Sequence, residues 1–446
     1  MSAIKTKPSG PGPATPARPS NWISSRVDAI LAQPVAVWLL LAFLAAFALT
    51  FLRNTFLDEE VIQIYTSFPA VNPIGEDLRA NLEFPRALLA TGNPYTVRDN
   101  LYPPLATLFY LPLSSLPFLQ GYNLTTIENY ICFAVLMVGF PLLYSRERKL
   151  SPTLVLLLVA GLFSYPFLFQ LERGQDDLVV ALVLFTSVYL YHRQPRLRWL
   201  AYALFVISVQ LKVYPLIFII TFVSDWSDWW GNLRRWALLL LANAAGLLVL
   251  GPTPALGFLS HITAEMANPT YNWSGNHSTH SFVGELLKEL RPQMPGEDSL
   301  VGPLQYALFC VYFLFLGLIW LRAYRRRLSA ANPYLVLACA IGMLVIPSTS
   351  HDYKLAILLA PAACFLNSLD LDTPGPRSWR VVQAGLIFLI SFSLCYTLFL
   401  HDEHTIWLNS NYPALMLILI GAALLMTVRA RLLDRSGQPS SFPDLA

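Results

Sequence analysis

The carboxylates best placed to do chemistry stand in one acidic stretch, where Asp58, Glu59, Glu60, Asp77 and Glu83 lie between the first long apolar run and the second. A carboxylate at such a border can take a proton from a hydroxyl nucleophile, which is general-base work. It can equally be a solvated loop charge, or pair with Arg79 or Arg86. Cationic and polar groups recur further on. Lys212 interrupts an apolar stretch, "ERGQDD" groups Glu172, Arg173, Gln175, Asp176 and Asp177, "SGNHST" holds Asn276 and His277, and "SHDYK" holds His351, Asp352 and Lys354. A lysine at mid-bilayer costs roughly 2.5–3.5 kcal/mol on insertion scales. Lys212 should therefore face a cavity and an anion such as a phosphate, unless it snorkels from a helix end. Arg173, His351 and Lys354 can hold phosphate too, while Gln175 and Asp176 can bind hydroxyls or simply form a polar helix turn. His277 and His280 are three apart but lack a third ligand at fixed spacing, so neither a metal nor a cofactor is expected.

What must position these groups is mostly apolar helix. Of the 446 residues, 55% are hydrophobic and 13% charged, against roughly 25% charged in soluble domains, and the mean hydropathy is +0.51. The expected fold class is an all-α integral membrane protein, in which ionisable groups at the membrane edge are functional candidates. The net charge is only +3, and Lys and Arg come in short clusters between apolar runs. That pattern is a topology signal and does not call for nucleic acid. Cys132, Cys310, Cys339, Cys364 and Cys395 all fall in apolar runs without Cys-x-x-Cys spacing, so neither a disulfide framework nor a thiolate metal site is indicated.

Residues 1–30 read as a disordered cytoplasmic tail, 31–432 as the membrane domain and 433–446 as a second cytoplasmic tail. Lys5, Lys7, Arg18 and Arg26 precede the run Val35 to Phe51, which places Asp58 outside by the positive-inside rule. The first outer loop covers 53–125 and carries short juxtamembrane helices. Within it, Tyr102 to Phe118 holds four prolines. At about 1.5 Å per residue it reaches roughly 25 Å, short of a roughly 30 Å hydrocarbon core, and reads as re-entrant or interfacial. Thr126 to Tyr144 returns inward, Thr153 to Leu171 leads out to "ERGQDD", and Leu178 to Tyr191 leads back to Arg193, Arg196 and Arg198. If Trp199 to Val223 then crosses once, Arg234, Arg235, Arg322, Arg325, Arg326 and Arg327 all fall outside, against the rule. Two short halves meeting near "LKVYP" keep them inside, and short helices are tolerated where their ends line a polar cavity. The count is about twelve membrane segments, with a later outer loop at 251–303 and both termini cytoplasmic. His261, His277, His280, His351, His401 and His404 then lie outside and His192 inside.

The succession "EDLRANLEFPRALLATGNPY", "YPPLATLFYLPLSSLP", "ERGQDDLVVALVLF", "SVQLKVYPLIF" and "SGNHST" resembles glycosyltransferase family 87 over about Asp77 to Ser278. The matched positions are Asp77, Gly92 and Tyr95, Tyr102 to Pro104, Gly174 and Gln175, Lys212 and Pro215, and Asn276 to Ser278. The resemblance implies a GT-C-type bundle and a polyprenol-phosphate-mannose-dependent, mannosyltransferase-like enzyme of glycan biosynthesis. It would move a hexose or pentose from a polyprenyl phosphate to a lipid-linked or cell-envelope glycan acceptor, with inversion, at the outer face of the plasma (bacterial inner) membrane. Such chemistry needs a carboxylate base and donors for the departing phosphate at headgroup level. Asp77 takes the base role by motif order, and Asp58 stays an alternative because it lies nearer the first apolar run. Lys212, Arg173, His351 and Lys354 would hold the phosphate, and Gln175, Asp176, Tyr95, Tyr102, Asn276 and His277 would line the sugar and acceptor sites.

Two other classes fit a multi-pass chain. A lipid-sugar flippase or transporter would place its charges at mid-membrane on broken helices of two repeats, whereas here they gather at the outer face, Lys212 apart. An O-antigen ligase or polymerase would be expected to use arginines of a large late loop, and 251–303 contains only Arg291.

Overall fold

The computed structural model describes residues 75–97, 100–144, 161–162, 164–267, 275–290, 298–369, 377–400 and 410–436. Asp58, Glu59, Glu60, the first apolar run and the two tails lie outside the described residues. Among the described residues the chain is helical, with no strand and one isolated bridge between Asn276 and His351.

The stretch expected to form the first outer loop contains α1 (Glu76–Thr91), a 3-10 turn (Pro94–Thr96) and α2 (Pro104–Ser114). Proline at the start of α2 suits a first helical turn, where an N–H has no partner anyway. Leu78, Leu82, Tyr110 and Tyr122 pack together beneath this loop as a small core of their own. The main bundle begins with α3 (Phe118–Ala134), which runs through a π turn (Val135–Gly139) into α4 (Phe140–Tyr144). Phe118–Leu143 and Leu300–Arg325 are the two helices, among the described residues, long and apolar enough to cross a membrane.

A bent pair, α5 (Tyr165–Arg173) and α6 (Asp177–Arg193), would count as a third span if its 112° bend is one broken crossing. Thr153 to Leu171 is thus not one helix. The Ser164 hydroxyl accepts from the Phe167 N–H at 3.4 Å and starts α5 afresh, with Pro166 in its first turn. Gly174, at φ +67°, ends it in the left-handed conformation that glycine adopts without strain.

The stretch Trp199 to Val223 divides as well. The helix α7 (Arg198–Leu211) stops at Lys212, whose backbone is extended, and a 3-10 segment (Tyr214–Thr221) follows. Phe222 comes back against Phe205 and Tyr202, with ring centroids 4.7 and 6.2 Å away, and the His192 Nε2 meets the Thr221 carbonyl at 2.8 Å. The stretch therefore returns to the end of the molecule from which it started.

After α8 (Trp229–Gly246), the described residues of the stretch 251–303 form α9 (Pro252–Ala267), α10 (Thr279–Leu290) and the start of α11 (Asp298–Arg325). The centre of the bundle is α12 (Pro333–Val345), apolar all round and buried at every residue from Tyr334 to Val345. A 3-10 segment (Asp352–Leu358) and α13 (Leu359–Ser368) pack on it, and α14 (Arg377–Leu400) and α15 (Tyr412–Ser436) close the far side.

Candidate active site

Three backbone interruptions meet at one place: the start of α1, the bend between α5 and α6, and the break after α7. Free N–H and C=O groups at such ends need partners, and the fold supplies them. The Gly75 N–H donates to the Glu172 carbonyl at 2.8 Å, and the Tyr122 hydroxyl to the Leu171 carbonyl at 3.0 Å. Asn129 on α3 donates to the Gln175 carbonyl at 2.8 Å and accepts from Gln170 at 2.6 Å. These contacts lock the start of α1 onto the bend.

Asp77 sits in the first turn of α1, where a carboxylate complements the helix dipole. Its Oδ1 accepts from Arg173, which also pairs with Glu76, and its Oδ2 accepts from the Gln175 Nε2 at 2.6 Å. The Asp77 side chain is 18% exposed while those of Asp176 and Asp177 are 4% and 0% exposed; with Glu76, the other carboxylate on Arg173 and 60% exposed, Asp77 is one of the two carboxylates here that an incoming molecule can reach.

Behind it lies a buried polar chain. The Lys212 ammonium lies 2.8 Å from Gln175 Oε1, 2.8 Å from Asp177 Oδ2 and 2.9 Å from Asp176 Oδ1. Asp177 Oδ1 accepts from the Tyr214 hydroxyl at 2.5 Å. The Tyr102 ring lies 5.3 Å from the Lys212 Nζ, near enough for a cation–π contact, and packs on Phe84 and Tyr110. Tyr353 closes the cluster, its hydroxyl 3.3 Å from the Gln175 Nε2.

Lys354 is the remaining cation. Its Nζ donates to the Thr349 carbonyl and lies 5.5 Å from the centre of the Tyr214 ring. Burial brings this ammonium down to about 8, against the opposing pull of the Asp177 carboxylate. Burial also lowers the His351 imidazole to about 4, with the Lys354 charge acting the same way, so His351 is neutral near pH 7. Its ring lies 5.6 Å from that of Tyr353.

Of the residues singled out in the sequence, Asp77, Arg173, Gln175, Asp176, Lys212 and Tyr102 share this cluster, and His351 and Lys354 border it. Three others serve the fold around it. The Tyr95 hydroxyl donates to the Tyr102 carbonyl at 2.6 Å while its ring packs on Phe258 and His261 of α9. Asn276 donates to the Ser348 carbonyl at 2.9 Å and accepts from the Ser350 N–H at 2.7 Å. His277 accepts from the Asn411 N–H at 3.2 Å and donates to Asp352 at 2.8 Å. Asn276 and His277 thereby tie the loop before α10 to the loop after α12. His280 turns elsewhere, to Gln305. Asp58 lies outside the described residues.

The sequence did not point to Tyr110, Tyr214 or Tyr353. Tyr214 stands two residues after Lys212 and Tyr353 next to Lys354, but in a chain with 20 tyrosines adjacency alone does not separate a polar partner from a packing ring.

The family model described as "Glycosyltransferase family 87" matches residues 100–347, more than half of the chain. The matched region contains Tyr102, Arg173, Gln175, Asp176, Lys212, Asn276 and His277, and Asp77, His351 and Lys354 lie outside it. No curated protein and no solved structure matches.

Proposed function

The chain belongs to glycosyltransferase family 87, a family of membrane glycosyltransferases, and on that premise we propose that Asp77 is the general base for transfer of a sugar from a polyprenyl-phosphate donor. The sugar is mannose or another hexose or pentose, the acceptor a lipid-linked or cell-envelope glycan, and the reaction runs with inversion at the outer face of the plasma membrane. About twelve membrane segments with both termini inside would frame it. The acceptor oxygen bonds to the anomeric carbon as the bond from that carbon to the phosphate oxygen breaks; the hydroxyl proton goes to Asp77 and the polyprenyl phosphate leaves.

One observation carries this reading: Asp77 is a partly exposed carboxylate at the edge of a buried polar chain, with its two oxygens oriented by separate donors, Arg173 and Gln175, whereas the more exposed Glu76 beside it pairs with Arg173 through one oxygen. Orientation of that kind suits a base that must meet a hydroxyl at hydrogen-bond distance. Arg173, His351 and Lys354 stand on the same side and are the proposed phosphate donors; of these, Lys354 has no carboxylate within ion-pair distance among the described residues. The Tyr102 ring forms a floor on which a sugar face can rest.

The experiment is transfer from a panel of radiolabelled polyprenyl-phosphate sugars into a membrane extract by the purified protein. A labelled product is expected from at least one donor. Asp77→Asn should lower turnover by about 10²–10⁴-fold, the usual contribution of a general base, with donor binding retained. Asp58→Asn should keep most of the activity. The opposite pattern would move the base to Asp58, and near-normal turnover in both variants would remove the mechanism.

A further inference from the structure

We propose that Lys212 and Gln175 are positioning residues for the Asp77 carboxylate, and that Lys212 is not a ligand of the donor phosphate. The inference rests on the reading of Asp77 as the base. The sequence directs Lys212 toward an anion, and the fold supplies that anion itself. An ammonium has three N–H donors and no acceptor. Two of those of Lys212 go to Gln175 Oε1 and Asp177 Oδ2, both at 2.8 Å, the Asp176 carboxylate lies at ion-pair distance, 2.9 Å, and the Tyr102 ring centre stands 5.3 Å from the cation. Two carboxylates already balance the ammonium, and its side chain is only 6% exposed, so it offers an incoming phosphate neither uncompensated charge nor an open face.

The consequence falls on Gln175. A primary amide can sit in a cavity of given shape in two orientations, oxygen and nitrogen exchanged. Because Lys212 can only donate, the amide oxygen must face it, and the Nε2 must face Asp77 and Tyr353. The reversed amide would set its N–H groups against the ammonium and its oxygen against the Asp77 carboxylate. Asp176 and Asp177 hold Lys212 in place, and the Tyr214 hydroxyl holds Asp177. An order therefore runs from Tyr214 through Asp177, Lys212 and Gln175 to Asp77. A carboxylate offers about four lone-pair sites. Arg173 and Gln175 occupy one on each oxygen of Asp77, and no other hydrogen bond to it is made among the described residues, which leaves sites for an acceptor hydroxyl.

The test uses the full-length enzyme and three variants. Gln175→Met removes the donor to Asp77 but leaves Lys212 between its two carboxylates. It should lower kcat by about 10²-fold, the cost of misplacing a catalytic group by about an ångström, while the Kd for the polyprenyl-phosphate sugar stays within about twofold. Gln175→Glu keeps an oxygen for Lys212 and puts a second one against Asp77. When protonated, the introduced carboxyl can donate to Asp77 as the amide does; when ionised, it repels it. The neighbouring charges are Arg173, Glu76, Lys212, Asp176, Asp177, Lys354 and Glu172, with neutral His351 and Tyr353 beside them; burial raises Glu172 to about 7, and since it titrates in wild type as well the comparison is made as a ratio to wild type. The activity of Gln175→Glu relative to wild type should rise about tenfold or more as the pH is lowered from about 8 to about 5. Lys212→Met, which strips two buried carboxylates of their cation, should lose stability and behave like Gln175→Met wherever it folds.

A further readout needs no donor. The antisymmetric carboxylate stretch of Asp77, isolated as the infrared difference between wild type and Asp77→Asn, should move in Gln175→Met. If the panel gives no transfer with wild type, the donor reading fails and the infrared band alone decides this inference. An unmoved band, a pH profile of Gln175→Glu parallel to wild type, or a tenfold loss of donor affinity in Gln175→Met would each overturn it.

Discussion

Two lysines border the same cluster and differ in what is left for a ligand. Lys212 is buried against two carboxylates, whereas Lys354 has the Thr349 carbonyl and an aromatic ring. If Lys354 holds the donor phosphate, Lys354→Met should weaken donor binding by about 10- to 100-fold, the equivalent of a hydrogen bond between charged groups worth roughly 1.5–3 kcal/mol. The pH dependence has a definite sign. The free ammonium loses its proton at about 8, and a bound phosphate favours the charged form. Donor affinity should then be flat below that pH and fall above it by up to about tenfold per unit, with the fall absent in Lys354→Met. Isothermal titration across that range reads it directly. At this scale the sequence was a good guide to residue types and a poor one to their partners. The gathering of Asp77, Arg173, Gln175 and Lys212 follows from motif order. That Lys212 meets two carboxylates of the chain itself depends on the bend that brings Asp176 and Asp177 to it, and no local pattern announces that. Asn276 and His277, which the sequence offers as sugar or acceptor ligands, also hold two loops together, contacts that no local pattern shows.

Gly174 shows how one element boundary sets the site. A Cβ there would lie 2.8 Å from the Leu78 Cβ, one residue beyond Asp77, on a backbone at φ +67°. Gly92, at the other end of α1, has a similar φ of +73° with nothing within 4 Å of the added carbon. Gly92→Ala should therefore cost backbone strain alone, about 1–2 kcal/mol. Gly174→Ala should cost more, because it also pushes α1 away from the bend, and it should reduce turnover where Gly92→Ala does not. Thermal unfolding in detergent beside a transfer assay separates the two; equal losses for both variants would mean that the contact with Leu78 does not position Asp77. From Thr153 to Leu171 the apolar pattern is continuous and reads as one membrane segment, yet α5 starts within it at Ser164. Helix starts inside apolar runs are marked only by small caps such as Ser164, which compete poorly with hydropathy as a signal. The break at Lys212 was visible because the arginine clusters downstream demanded it.

Over the whole molecule, those clusters converge. The Trp226 indole N–H donates to the Leu328 carbonyl at 2.6 Å, Asp225 lies 3.9 Å from Arg327, and the Ser329 hydroxyl reaches the His192 Nδ1 at 3.5 Å. The ends of α6, α11 and the 3-10 segment after α7 thus share one end of the bundle, as basic loops on a single membrane side would. A cysteine at the exposed Ser227 should be labelled in inverted vesicles and protected in intact cells; labelling of intact cells would sink the cytoplasmic assignment. The site at the opposite breaks has a consequence in time. Chains emerge at about 5–20 residues per second, and 35 residues separate Asp177 from Lys212, so each new molecule holds both carboxylates for roughly 2–7 s before their ammonium is made. A helix start is a position where such charges can wait in water, whereas the middle of α6 would strand them in lipid, so the order of synthesis itself favours acids at the bend and the base that joins them later in the chain.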